Sequence, residues 1–204
     1  DRLFLSRVGK HELAATMSGG LTAFVLYAFF LGLVGYAAAL VAQYYGAGKH
    51  QMCTRATTQA IYLSLASYPI LLLFVPFLGP LFSAMGQDPS LAAPATTYAR
   101  ILLSGAILSL LKTAIGTFFI GIGRTRIVMV ANICGTLFNL PLNYILIFGK
   151  FGLPAMGIEG AALGTVCSSC FIFLLLGIAY IRATSHAPYK VEKLFQLQPD
   201  IIRR

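Results

Sequence analysis

Residues 127–149 read IVMVANICGTLFNLPLNYILIFG, a stretch that contains no charged side chain. At 1.5 Å per residue, a helix of this length covers the roughly 30 Å of a bilayer's hydrocarbon core. A membrane-spanning strand would instead show about ten residues of alternating polarity. The stretch therefore predicts a transmembrane helix.

Four further segments share this character: 13–43, 57–85, 94–122 and 159–181. Only 10% of the 204 residues are charged, whereas a soluble domain carries roughly 25%. Short glycine- and proline-containing turns separate the segments, so neighbouring helices are expected to run antiparallel. The sequence predicts an all-α fold, a polytopic transmembrane helical bundle with five crossings.

The basic residues are divided unequally between the two sides of such a bundle. One side holds Lys49, Arg55, Arg124, Arg126, Arg182, Lys190, Lys193, Arg203 and Arg204, and the other holds Arg2, Arg7, Lys10, Arg100 and Lys150. Cytoplasmic loops of membrane proteins are enriched in Lys and Arg. We therefore predict a multi-pass protein of the inner (plasma) membrane with a cytoplasmic carboxyl terminus.

Several other classes of function are disfavoured by the pattern of residues. The bases are spread thinly between apolar stretches, which is atypical of a nucleic-acid-binding face. Cys167 and Cys170 have metal-like spacing, but no histidine or second cysteine pair accompanies them. No enzyme motif and no intramembrane nucleophile with a neighbouring base is visible. We expect no metal site, no cofactor and no enzymatic activity.

Polar residues form a stripe on the segment quoted first. Asn132, Thr136, Asn139 and Asn143 fall within about 60° of arc at 100° per residue. Pro141 removes a backbone hydrogen bond beside the stripe. Two interpretations fit: the carboxamides hold a cation or a polar substrate group, or they join helices by hydrogen bonds, each worth roughly 0.6 kcal/mol.

Lys112 lies near the middle of the third segment, with Thr113 and Gly116 on the same face. A lysine at this depth costs at least about 2.5–3.5 kcal/mol, so we predict that it faces a cavity or the bundle interior. Small residues at Gly32 and Gly35, and at Gly160 and Gly164, predict close helix packing.

Two motifs carry a resemblance to a known family. Residues 41–48 (VAQYYGAG) resemble the cytoplasmic end of the second helix of multidrug and toxic compound extrusion (MATE) transporters. Residues 139–150 (NLPLNYILIFGK), followed by Pro154 and 157–165, resemble the end of the fifth helix and the start of the sixth. Asp1 and the residues that follow it resemble the outer half of the first helix, so the resemblance covers the whole chain.

MATE proteins are described as two six-helix lobes that exchange Na⁺ or H⁺ for organic cations by alternating access. The resemblance implies that residues 1–182 form a MATE-like amino-terminal lobe, with the end of helix one and helices two to six. Residues 183–204 would be a cytoplasmic linker or a short amphipathic tail. The implied partners are a carboxyl-terminal lobe, membrane lipid and a small-molecule substrate, an organic cation.

The resemblance also implies a cation- or proton-coupling site. Asp1 matches the family's carboxylate, Asn139 and Asn143 match the polar positions beside it, and Thr165 offers a hydroxyl. Some relatives carry an acid at the position of Asn143, so its absence here argues against a purely two-carboxylate mechanism.

A substrate cavity is expected at Lys112, Thr113 and Thr136. Lys112 is not part of the family pattern, and a cavity lysine repels organic cations. Two alternatives therefore stay open. A related flippase for lipid-linked phosphates or sugars would show several basic cavity residues, and a receptor or channel would need a ligand-gated element or a pore ring.

Overall fold

The computed structural model describes residues 9–190, which form helices and short connections without a strand. The α-helices, in chain order, are α1 (Lys10–Gly35), α2 (Ala37–Gly46), α3 (His50–Phe74), α4 (Leu78–Ala84), α5 (Pro89–Ser104), α6 (Ala106–Gly121), α7 (Thr125–Phe148) and α8 (Gly157–Thr184). A 3₁₀ turn at Val75–Phe77 joins α3 to α4. The predicted all-α fold is confirmed.

By length and composition, four stretches of the described chain are able to cross a membrane: His11–Gly46, His50–Ala84, Thr125–Phe148 and Gly157–Thr184. The helices α5 and α6 form a bent pair that gives a fifth span if it is counted as one. These spans match the five predicted segments. The second span begins at His50, earlier than the predicted residue 57, because the polar first turns of α3 lower its local hydropathy.

Acidic residues stand at the beginnings of helices. Glu12 and Glu159 lie in the first turns of α1 and α8, where negative charge interacts favourably with the helix dipole. Asp88 caps α5, because its carboxylate accepts hydrogen bonds from the backbone N–H and the hydroxyl of Ser90, at 2.8 and 2.7 Å. These bonds hold the pKa of Asp88 below its usual value.

The sequence did not predict the break between α5 and α6. At Gly105 a β-carbon would overlap the side chain of Val166, so only glycine fits at this distance. The carbonyl of Ser104, at the end of α5, accepts a hydrogen bond from the Tyr68 hydroxyl at 2.7 Å. This bond satisfies a carbonyl that the end of the helix leaves without an intrahelical donor.

The contacts divide the chain into two compact units. The described residues of the first unit are 9–28, 68–106 and 135–169, and those of the second are 29–67, 107–134 and 170–190. In the first unit, β-carbons at Gly160 and Gly164 would collide with residues of α7, which confirms the predicted close packing. In the second unit, no described atom lies within 4 Å of such a carbon at Gly32 or Gly35, so close packing at these two glycines stays a prediction.

The second unit has an aromatic core around Phe118. Its ring meets those of Phe119, Tyr180 and Tyr189 edge-on, with centroids 5.1–5.3 Å apart. The backbone carbonyl of Tyr189 accepts a hydrogen bond from the hydroxyl of Thr54 at 2.9 Å. The chain after α8 is therefore packed into this unit as far as Tyr189. The rest of the predicted tail, from residue 191, lies outside the described residues.

Candidate coupling and substrate sites

Two carboxamides of α7 form the most deeply buried polar pair of the predicted stripe. Asn143 is fully buried at 0% exposure, and its side-chain nitrogen donates a hydrogen bond of 2.7 Å to the carboxamide oxygen of Asn139. The two residues are four positions apart, so helical geometry places them on adjacent turns of the same face. Pro141 between them removes the backbone donor that would otherwise reach the carbonyl of Leu137.

The pair is joined to α8 through a serine. The side-chain nitrogen of Asn139 donates to the hydroxyl of Ser168 at 2.9 Å. That hydroxyl donates in turn to the backbone carbonyl of Gly164 at 2.7 Å. A continuous series of hydrogen bonds thus runs from Asn143 through Asn139 and Ser168 to the backbone of α8.

Glycine at position 164 makes this arrangement possible. A β-carbon there would overlap the carboxamide oxygen of Asn143 and lie 3.0 Å from its Cγ. One turn earlier, a β-carbon at Gly160 would lie 2.7 Å from the backbone carbonyl of Leu146. The two glycines allow α8 to approach α7 closely enough for the serine to meet the asparagines.

The other residues of the predicted stripe and of the predicted coupling site have the following positions. The Asn132 side chain is exposed and donates to the carbonyl of Val128 in its own helix at 2.8 Å, and Thr136 is exposed. The Thr165 hydroxyl donates to the carbonyl of Ala161, also in its own helix, at 3.1 Å. Asp1 lies outside the described residues. Ser168, which sequence reasoning missed, also offers a hydroxyl from α8.

The described part of this site is electrically neutral. It consists of two carboxamides, a hydroxyl and a backbone carbonyl, and none of these groups ionises near neutral pH. Oxygen atoms of this kind are suitable ligands for a hard cation, in the way that carbonyl and amide oxygens bind Ca²⁺. A proton-linked mechanism would need a carboxylate in addition, and among the predicted site residues only Asp1 supplies one.

The second unit contains a separate cavity of about 180 Å³ with Lys112 in its wall. Its lining residues are Gly35, Ala38, Lys112, Thr113, Gly116, Thr117, Ile120, Val128, Asn132, Ile172 and Leu176. Lys112, Thr113 and Gly116, which the spacing places on one helix face, all line this cavity. Thr136, the third expected cavity residue, belongs to the first unit and does not line this cavity.

Comparison with known proteins assigns the chain to a family. The sequence profile of the MatE family matches residues 1–145, which is most of the chain. The chain belongs to the MatE family. This membership confirms the resemblance seen in the sequence motifs.

Curated relatives of this MatE chain carry the names of multidrug resistance proteins. The multidrug resistance protein PmpM of Pseudomonas aeruginosa is 31% identical over 196 residues, which are 96% of this chain and 40% of that protein. The probable multidrug resistance protein NorM of Agrobacterium fabrum is 30% identical over 182 residues, or 89% of this chain and 39% of that protein. The chain therefore spans about 40% of the length of these relatives.

Solved structures show the same fold. The outward-facing conformation of a multidrug resistance MATE family transporter of the MOP superfamily matches this MatE chain with a TM-score of 0.86 at 24% identity. The match covers 100% of this chain and 44% of that transporter. The helical fold is therefore that of a region of MATE transporters.

Proposed function

We propose that this chain forms part of a secondary active antiporter that exports small organic molecules in exchange for Na⁺ or H⁺. The observation that carries the proposal is the buried network of Asn143, Asn139 and Ser168 in a chain of the MatE family. Its carboxamide and hydroxyl oxygens are suitable ligands for a hard cation. We infer that it is the ion-coupling site.

In this proposal Asp1 supplies the charge and the network supplies its neutral neighbours. Protonation of the carboxylate, or binding of Na⁺ beside it, removes the net negative charge that an organic cation would otherwise neutralise. The ion and the substrate then compete for the same charge, which is the requirement for exchange. Asn139 and Asn143 orient the carboxylate or contribute oxygen ligands to the ion.

The bonding pattern fits a site with two states. The amide of Asn139 bonds to Ser168 on the neighbouring helix, whereas that of Asn143 bonds within α7. An ion held by the oxygen of Asn139 would compete with the hydrogen bond from Asn143. Ion binding would therefore shift the balance between arrangements of α7 and α8, and a ligand shifts such a balance only through its unequal affinity for the two states.

The related flippase is a second candidate function, because Lys112 places a basic side chain in a cavity. A flippase that holds lipid-linked phosphates is expected to place several basic residues in its cavity. Among the described residues that line the cavity of about 180 Å³, Lys112 is the single charged one. A single cation supports export of a small molecule over transport of a polyanionic headgroup, and we keep the antiporter as the proposed function.

The test is drug export from cells that express the entire gene encoding this sequence. Ethidium efflux is followed with a Na⁺ gradient, with a pH gradient, and with both abolished. We expect efflux to require one of the two gradients and Asp1→Asn to abolish it without reducing the amount of protein in the membrane. The variant Cys167→Ala, at an exposed position beside Ser168, serves as the control and should leave efflux unchanged. Efflux that is independent of both gradients would contradict the proposal.

A further inference from the structure

A second and larger cavity, of about 380 Å³, lies at the beginning of α3 in the second unit. Its lining residues are Gly48, Lys49, His50, Gln51, Met52, Arg55 and Pro188. Three of them have a basic side chain, and the cavity does not share a residue with that of Lys112. Its volume is in the range of cavities that bind small molecules or headgroups.

Two nitrogen atoms in this wall are buried without a hydrogen-bond partner among the described residues. They are Nδ1 of His50 and Nε of Arg55. Buried polar atoms of proteins are almost always bonded. Neither nitrogen is open to the cavity as it stands, so each would reach a ligand there by a rotation of its side chain. The amino-terminal end of α3 lies at the same place. The N–H of Met52 there already donates to the carbonyl of Lys49 at 2.9 Å, but the positive end of the helix dipole favours an anion.

The cavity wall is held in place before any ligand binds. The His50 ring is fixed between Tyr45 and Tyr189, with both ring centroids 5.4 Å away. Tyr189 is itself anchored to α3 by the hydrogen bond from Thr54, and Pro188 beside it closes one side of the cavity. A wall fixed in advance reduces the ordering that a ligand would have to impose.

Nothing acidic in the described part of the second unit competes for these donors. Residues 29–67, 107–134 and 170–190 contain no Asp or Glu. The same ranges contain the bases Lys49, Arg55, Lys112, Arg124, Arg126, Arg182 and Lys190. The charges of these described residues therefore favour an anion at the cavity.

The cavity lies at the connection between two membrane spans, His11–Gly46 and His50–Ala84, and so at the level where lipid headgroups are found. The distribution of bases predicts that this connection is cytoplasmic, the side on which basic pockets between helices bind anionic headgroups. We propose that the cavity binds the phosphate group of an anionic phospholipid. Arg55, His50 and Lys49 donate hydrogen bonds to its oxygens.

The experiment measures lipid binding to the complete purified protein in a neutral detergent. The probes are a soluble short-chain phosphatidylglycerol, the matched phosphatidylcholine, and inorganic phosphate. Arg55→Gln removes a donor whose Nε is buried, and Lys49→Gln removes an exposed charge at the rim with little risk to folding. Arg182→Gln is the control, because it removes the same charge from an exposed position that does not line the cavity.

We expect saturable binding of phosphatidylglycerol that weakens about tenfold in Arg55→Gln and severalfold in Lys49→Gln, because each loses a charge-assisted hydrogen bond. Arg182→Gln should bind phosphatidylglycerol as tightly as the unchanged protein does. Phosphatidylcholine should bind weakly to the unchanged protein and to every variant.

Equal affinity for inorganic phosphate with the same dependence on Arg55 would overturn the proposal of a lipid ligand and identify a soluble phosphate as the ligand. Equal binding of phosphatidylglycerol by all variants would overturn the site itself. Neither outcome depends on efflux, so the proposal is tested separately from the antiporter.

Discussion

The two units of this chain differ in the charges of their described residues and in the polarity of their candidate sites. The first unit is balanced in its described residues, with Glu12, Asp88 and Glu159 at helix beginnings, Lys10, Arg100 and Lys150 as bases, and a neutral amide network inside. The second unit has seven bases and no acid in its described residues, and basic side chains line both of its cavities. The comparison separates a neutral site suited to a small cation from positively charged cavities suited to anionic groups.

The largest effect is expected where α8 meets the amide network. In Gly164→Ala the new methyl group overlaps the carboxamide oxygen of Asn143, and overpacking of this kind costs about 1–3 kcal/mol. We expect a lower melting temperature in detergent and loss of gradient-driven efflux. Gly177→Ala on the same helix is the matched control, because no described atom lies within 4 Å of its β-carbon. If both variants were equally stable and active, the close fit at Gly164 would have no importance.

A second effect is expected at the cavity that contains Lys112. Lys112→Met removes a positive charge, and a charge at ~10 Å contributes about 1–2 kcal/mol at an effective dielectric constant of about 20. We expect ethidium to be exported at a KM about tenfold lower, whereas a substrate with an added carboxylate should lose affinity. Arg126→Gln removes an exposed charge outside this cavity and should change neither. If Lys112→Met changed the KM of both substrates in the same way, the charge of Lys112 would not act on the bound substrate.

A smaller effect is expected from the bond between α7 and α8. Asn139→Ala and Ser168→Ala each remove one end of the 2.9 Å hydrogen bond. The double variant should be less destabilised than the sum of the two single ones, by about 0.6 kcal/mol, the average for hydrogen bonds between membrane helices. Thermal unfolding of all four proteins in detergent measures this coupling. Exact additivity would mean that the bond does not stabilise the helix pair.

The smallest effect is expected at the cap of α5. Because its bonds to Ser90 lower the pKa of Asp88 in the folded protein, the carboxylate stabilises the fold above the usual carboxyl pKa. This contribution is lost as the pH falls through the lowered value. We expect Asp88→Ala to reduce the melting temperature slightly at neutral pH and not at strongly acidic pH, and Asp88→Asn, which retains a capping oxygen, to show less of the neutral-pH loss. A reduction that is the same at both pH values would contradict the cap.

The sequence predicted what long apolar stretches determine, and missed what contacts between distant residues determine. The spans follow from hydropathy, and the stripe with Asn139 and Asn143 follows from helical periodicity. The break at Gly105 depends on the position of Val166, and the burial of Tyr189 depends on Thr54, which is far away in the sequence.

The helix partner of the amide network could not be predicted for a related reason. Ser168 is one of several hydroxyl residues in α8, and most such hydroxyls bond to their own helix, as Thr165 does. Only the rotation of α8 relative to α7 decides that Ser168, and not another of these hydroxyl residues, meets Asn139. The signal that could have found it is its spacing of four residues from Gly164, where a β-carbon would overlap the carboxamide oxygen of Asn143.

The central claim is that ion and substrate movement are coupled, and it is tested most directly in liposomes that contain the complete purified protein. An outward gradient of an organic cation is imposed with no ion gradient present, and the movement of radioactive sodium and of protons is recorded. We predict that the cation gradient drives one of these ions in the opposite direction, and that Asp1→Asn abolishes this movement. Movement of the organic cation without movement of either ion would contradict the account.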